Sequence, residues 1–369
     1  MGREINMTEE KKDKILDILK EAVEREASDI FLIPGSGCSF KINGKIHINE
    51  KGSGFSIAEI SECIEEIYTM AHNRSMDRVN NNGDDDFSFA VKGLARFRVS
   101  VFKQRGSLAA VIRTVSFDLP NYEEIGIPQE VIDIANIKKG LVLVTGSAGS
   151  GKSTTLACII DQINKTRNAH IITLEDPIEF LHRHNQSIVT QREISTDTED
   201  YISALRAALR QAPDVILLGE LRDFETIRTA MTAAETGHLV ISTLHTMGAA
   251  NTIDRIVDAF PENQQAQIRT QLALVLKAVV SQQLLPTVDG EEIPAFEAMF
   301  VNNAIQNLIR ENKVHQLDSV IASSREEGMF SMDSSLIELA KKGQVSKETV
   351  LTYCDNRDIM EKKLAKNGI

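Results

Sequence analysis

Residues Gly146-Ser147-Ala148-Gly149-Ser150-Gly151-Lys152-Ser153 fit the pattern G-x-x-x-x-G-K-[ST] in full. The apolar run Leu141-Val142-Leu143-Val144 precedes them, and a helical pattern follows from Thr154. A glycine-rich loop between a strand and a helix N-terminus turns several backbone N–H groups toward one point, and such a nest binds a polyphosphate. In that setting Lys152 reaches the β- and γ-phosphates, Ser153 gives its hydroxyl to Mg²⁺, and Thr154 completes the binding segment. The chemistry is nucleoside triphosphate binding.

Hydrolysis requires more: a metal to neutralise the phosphates and a carboxylate to orient the attacking water. Apolar runs at 141–145, 171–174, 215–218 and 239–243 alternate with helical patterns, which predicts a parallel sheet covered on both faces. Open parallel sheets bind ligands at the carboxyl ends of their strands. There the second run meets Glu175-Asp176-Pro177, and the third meets Gly219-Glu220-Leu221-Arg222-Asp223. Glu175 is the candidate water-orienting base and Glu220 the candidate metal-side carboxylate, although sequence also permits the reverse assignment. His238 and His245 flank the fourth run. Their odd separation puts them on opposite faces of one extended strand, and no Cys or further His completes a metal set. Each is either a γ-phosphate sensor or a structural hydrogen-bonding group, with His238 the stronger candidate for a catalytic role.

The elements that hold these residues occupy a chain of 369 residues, long enough for two or three domains. A helical stripe (Ile15, Leu16, Ile18, Leu19, Ala22, Val23) opens the first, and strand-like pieces at 30–33 and 40–48 follow with an Asn43-Gly44 turn. A second helix is predicted over 57–70. Alternation at Phe87, Phe89 and Val91, a Lys92-Gly93 turn, and Phe97, Val99 and Val101 then predict a hairpin. The domain boundaries expected are 1–116 for an α+β domain, 117–123 for a linker, 124–285 for the sheet-based core and 286–369 for a helical region. Asp84, Asp85 and Asp86 read as a solvated turn, because the Gly and Glu of a calcium loop are absent at the required offsets. The segment 96–106 concentrates Arg96, Arg98, Lys103 and Arg105. It is either a solvated sheet face or a source of arginines for a phosphate across a subunit boundary.

A formal net charge of −12 counts against a large nucleic-acid footprint. The polar start of the chain carries no signal-peptide pattern, no run is long and apolar enough to span a membrane, and the four scattered cysteines suit a reducing compartment. A cytoplasmic location is expected.

These motifs together resemble the secretion-type ATPases, most closely the PilT-like type IV pilus retraction branch. The resemblance covers roughly residues 25 to 345. It rests on Ala27-Ser28-Asp29-Ile30, Gly93-Leu94-Ala95-Arg96-Phe97-Arg98-Val99, the phosphate loop, 171–180, 212–223, and Ala233-Ala234-Glu235-Thr236-Gly237-His238 with Thr243-Leu244-His245-Thr246. It implies a PAS-like N-terminal domain, a RecA-like P-loop ATPase core and a helical C-terminal region. It also implies ATP and Mg²⁺, a homo-hexameric ring, and a platform protein of the inner membrane to which the ring attaches peripherally. Arg96, Arg98, Arg105 and Arg113 become candidate phosphate-facing arginines, Arg96 and Arg105 first. One departure stands out: Gln306 in Ala304-Ile305-Gln306-Asn307-Leu308-Ile309-Arg310 replaces an Arg usual in a segment associated with retraction.

Overall fold

Two compact units divide the chain, Met1–Asp118 and Leu119–Ile369. The computed structural model describes residues 5–42, 44–48, 55–115 and 119–369, with side chains from Lys14 onward. In the first unit, period-two alternation produces a six-stranded sheet and helical stripes produce its cover. The elements run α1 (Ile5–Glu24), β1 (Asp29–Leu32), β2 (Ser39–Ile42), β3 (Lys45–Ile48), α2 (Ile57–Met70), α3 (Asp77–Asn82), β4 (Asp84–Val91), β5 (Ala95–Gln104) and β6 (Ser107–Val115). The strand order is β3-β2-β1-β6-β5-β4, antiparallel at every pairing. Ile15, Ile18, Leu19 and Ala22 of α1 are buried in one core with Ile60, Ile64 and Ile67 of α2 and with Phe87, Phe97, Val99 and Val101 of the sheet. A capping box starts α2: the Ser56 hydroxyl accepts from the Glu59 N–H, and the Glu59 carboxylate accepts from the Ser56 N–H at 2.9 Å.

The acidic triplet differs from its expected solvated turn. It opens β4, and strand alternation turns Asp85 inward while Asp84 and Asp86 stay exposed. A buried carboxylate requires partners. Asp85 accepts from Arg74 at two atoms, both at 2.9 Å, and from the Tyr68 hydroxyl at 3.0 Å. The candidate arginines also separate here. Arg113 is paired with buried Asp29 at 3.0 Å, Arg96 is half-buried on β5, and Arg105 is exposed at the β5–β6 turn with φ +47°. Asn43 of the expected turn, Ser116 at the expected domain end, and residues 117–118 of the expected linker lie outside the described residues.

The second unit runs α4 (Gln129–Ile132), β7 (Gly140–Thr145), α5 (Lys152–Thr166), β8 (His170–Glu175), β9 (Ile188–Glu193), α6 (Tyr201–Ala208), β10 (Val215–Leu218), α7 (Phe224–Glu235), β11 (Leu239–Leu244), α8 (Ala249–Asp258) and α9 (Glu262–Val275). It continues with β12 (Leu276–Pro286), β13 (Glu292–Phe300), α10 (Asn303–Arg310), α11 (Leu317–Ser323), α12 (Met332–Lys341), α13 (Lys347–Tyr353) and α14 (Arg357–Lys366). Seven strands in the order β13-β12-β7-β11-β10-β8-β9 form one sheet, parallel except for the β12–β13 pair. Every residue of β7, β10 and β11 is buried, as strands covered on both faces must be.

The boundary expected at 285/286 falls inside the β12–β13 pairing, which runs from Ala278 opposite Phe300 to Pro286 opposite Glu292. The segment expected to be helical therefore begins with a strand of the main sheet. Leu285 and Ala295 of that hairpin share a core with Leu336, Val350, Met360 and Leu364, so the C-terminal helices are built onto the sheet.

Candidate functional site

The parallel register delivers four strand ends to one edge. β7 leads into the phosphate loop, β8 ends at Glu175, β10 leads to Gly219-Glu220, and β11 leads to His245. One cleft of about 420 Å³ is lined by Lys152, Ser153, Glu175, Glu220 and His245. It lies entirely within the second unit. Neighbouring strands lock the walls: the Thr243 hydroxyl donates to the Gly219 carbonyl at 2.6 Å, and the Gly219 N–H donates to the Leu174 carbonyl at 2.8 Å.

The loop backbone curls around its lysine. Lys152 Nζ donates to the carbonyls of Gly146 at 2.9 Å and Ser147 at 2.7 Å, and the side chain is buried. Burial lowers the lysine pKa, opposed by the charges of Glu220 and Glu179. Glycine is obligatory at Gly146, where φ is +145° and an added Cβ would stand 2.3 Å from the Gln282 carbonyl. Helix α5 starts at Lys152 itself, so its N-terminal N–H groups belong to the loop.

Glu175 and Glu220 occupy distinct environments. Burial pushes the Glu175 pKa up to about 7, against hydrogen bonds that favour the charged form from the Thr173 hydroxyl at 2.6 Å and the Gln191 amide at 3.3 Å. Thr173 and Glu175 share a face of β8, and Thr173 pairs in register with Gln191 of β9. Glu220 has different neighbours: it contacts the Arg222 guanidinium, and its Oε2 lies 3.6 Å from His245 Nε2. A carboxylate that titrates near neutrality suits proton abstraction, and one paired with an arginine suits a charge-balancing role.

The raised pKa of Glu175 makes hydrolysis sensitive to pH in the neutral range. Only its charged form accepts a proton, so kcat/KM for ATP should rise with pH through about 7. Gln191→Leu removes a donor to the charged form and should move that limb to higher pH. A flat profile between about pH 6 and pH 8 would contradict the assignment.

His238, expected among the catalytic groups, lies elsewhere. It immediately precedes β11, at the amino end of a strand whose carboxyl end faces the cleft. Its Nδ1 sits 3.0 Å from the Ala233 carbonyl, and its backbone N–H donates to the same carbonyl at 3.2 Å, closing the end of α7. Six strand residues, about 20 Å of extended chain, separate it from the site. His245, the weaker candidate by sequence, lines the cleft. Arg96 and Arg105 belong to the first unit. Sequence reading missed Thr173, Gln191 and His182; of these only Thr173, two residues before Glu175 on a predicted strand, carried a legible signal. His182 lines the cleft, and burial lowers its pKa to about 4.

The Type II/IV secretion system protein family matches residues 7–365. The type IV pilus retractation ATPase PilT of Pseudomonas aeruginosa is 42% identical over 334 residues, covering 90% of this chain and 96% of that protein. A twitching motility protein of Neisseria gonorrhoeae is 48% identical over 280 residues, covering 76% of this chain and 75% of its own length. A crystal structure of the pilus retraction motor PilT with bound ADP aligns with a TM-score of 0.86 at 44% identity, covering 94% of this chain and 99% of that one. With the family matched across nearly the whole sequence and the fold shared with a solved relative, the chain belongs to the Type II/IV secretion system protein family.

Proposed function

We propose that this protein is an ATPase that powers type IV pilus retraction, and hence twitching or gliding, as a homo-hexameric ring. The ring acts at the inner face of the cytoplasmic membrane, on a platform protein of the pilus machine. The observation that carries the reading is the single cleft uniting the phosphate-loop lysine, Glu175 and Glu220. Backbone N–H groups of the loop bind the phosphates, Lys152 stabilises charge on the transferring phosphoryl group, and Glu175 takes the proton of the attacking water. Ser153 and Glu220 would hold Mg²⁺, which offsets phosphate charge when bound. A second cleft of about 600 Å³ adjoins the first and shares Gly151 and Thr154 with it.

In this reading the first unit is a PAS-like domain and the second a RecA-like core, and Arg96 and Arg105 act on ATP held by a neighbouring subunit. No described helix is long and apolar enough to cross a membrane.

Gln306 supports one alternative, an accessory or assembly motor. In α10, Ile305 and Ile309 are buried, Gln306 is half-buried and Arg310 is exposed. Gln keeps hydrogen-bonding capacity at a position where the family usually carries a permanent charge. A deletion strain separates the roles. Excess surface pili with little twitching or gliding is the expected result; too few pili would identify an assembly motor, and unchanged pili and motility an accessory one.

A further inference from the structure

Strand β12 lies beside β7, and its residue Gln282 reaches under the phosphate loop from a position more than a hundred residues later in the chain. Its amide nitrogen donates to the Ser150 carbonyl at 2.5 Å, and its amide oxygen accepts from the Thr155 hydroxyl at 2.8 Å. A carbonyl can only accept, which fixes the orientation of the amide. Gln282, Ser150 and Thr155 are at most 2% exposed, so water does not compete for these bonds. The loop is also pressed onto the same residue at its glycines. A Cβ on Gly146 would lie 2.3 Å from the Gln282 carbonyl oxygen, and one on Gly151 would lie 2.9 Å from its amide nitrogen. Ser150 and Thr155 bracket Gly151–Thr154, the segment whose backbone N–H groups would form the phosphate nest.

We propose that Gln282 is a positioning residue for nucleotide binding: its side-chain amide clasps both ends of the Gly151–Thr154 segment and sets the shape of the phosphate nest. It touches no phosphate itself. The proposal rests on the ATPase reading above. It also makes the grip on nucleotide depend on where β12 sits, and β12 is the strand onto which the C-terminal helices are built.

Full-length Gln282→Met keeps volume and length but removes both bonds. The dissociation constant for Mg·ADP and KM for ATP should both rise about tenfold, with kcat changed by less than about threefold. Gln282→Glu keeps the acceptor for Thr155 but sets a carboxylate against the Ser150 carbonyl, and should weaken binding further. A merely structural residue would lower the melting midpoint and leave the ADP affinity of the folded fraction intact; ADP binding by Gln282→Met within about twofold of wild type overturns the proposal. Should Gln282→Met not fold, Thr155→Val removes one bond from the helix side and is read by the same titration. If neither variant folds, Gln282 holds the unit together rather than shaping the loop, and the proposal is wrong. Wild-type protein that fails to bind ADP would sink the ATPase reading and this one together.

Discussion

Glu175→Gln is expected to bind ATP with nearly unchanged affinity and to release phosphate at least about 100-fold more slowly than wild type. The substitution keeps the side-chain shape and its contacts with Thr173 and Gln191, but an amide cannot take a proton from water. Lys152→Ala should behave differently. It removes the one buried cation at the centre of the loop, so affinity and turnover fall together. Nucleotide titration and steady-state phosphate release on purified proteins separate the two outcomes. Turnover near wild type in either variant would remove that residue from the mechanism. Glu220→Gln divides the carboxylate roles: if Glu220 serves the metal, its defect shrinks as the Mg²⁺ concentration is raised, whereas the defect of Glu175→Gln does not.

Loss of Arg105 or Arg96 should cost about 10³-fold in turnover, the scale of an arginine supplied to a transferring phosphoryl group. Each would then spoil only the half-site it contributes to. Rings mixed from Arg105→Ala and Lys152→Ala subunits place an intact loop beside an intact arginine at some boundaries, so the mixture should exceed either variant alone. Exposure at the β5–β6 turn makes Arg105 the cleaner test, since its replacement disturbs no core packing. Activity that only averages the two parents, with subunit exchange verified, would mean that the arginines act within their own chain or not at all.

How much of this was legible in the chain depends on whether a feature is local. The phosphate loop is eight consecutive residues between a buried strand and a helix, so its geometry follows from contiguous backbone preferences, and sequence alone located it. Glu175 and Glu220 were found because a parallel sheet brings the carboxyl ends of its strands to one edge whatever their order. The β4–β5 hairpin was likewise written in its alternation. Other features depend on partners distant in sequence. β9 is an edge strand carrying Thr190, Gln191 and Arg192, so it lacks the apolar run that marked its neighbours, and Gln191 went unseen with it. The interior position of Asp85 depended on Arg74 being there to neutralise it and on Tyr68 to donate a hydrogen bond. His238 and His245 both border one strand, and sequence favoured His238; the direction of β11 sends His238 to the helix end and His245 to the cleft. The order of residues along the chain was enough to locate the phosphate-loop pattern and the strand ends that meet it. The tertiary structure decided what holds that loop in shape, because the Thr155–Gln282 bond joins residues 127 positions apart and its strength comes from burial that only the assembled sheet provides.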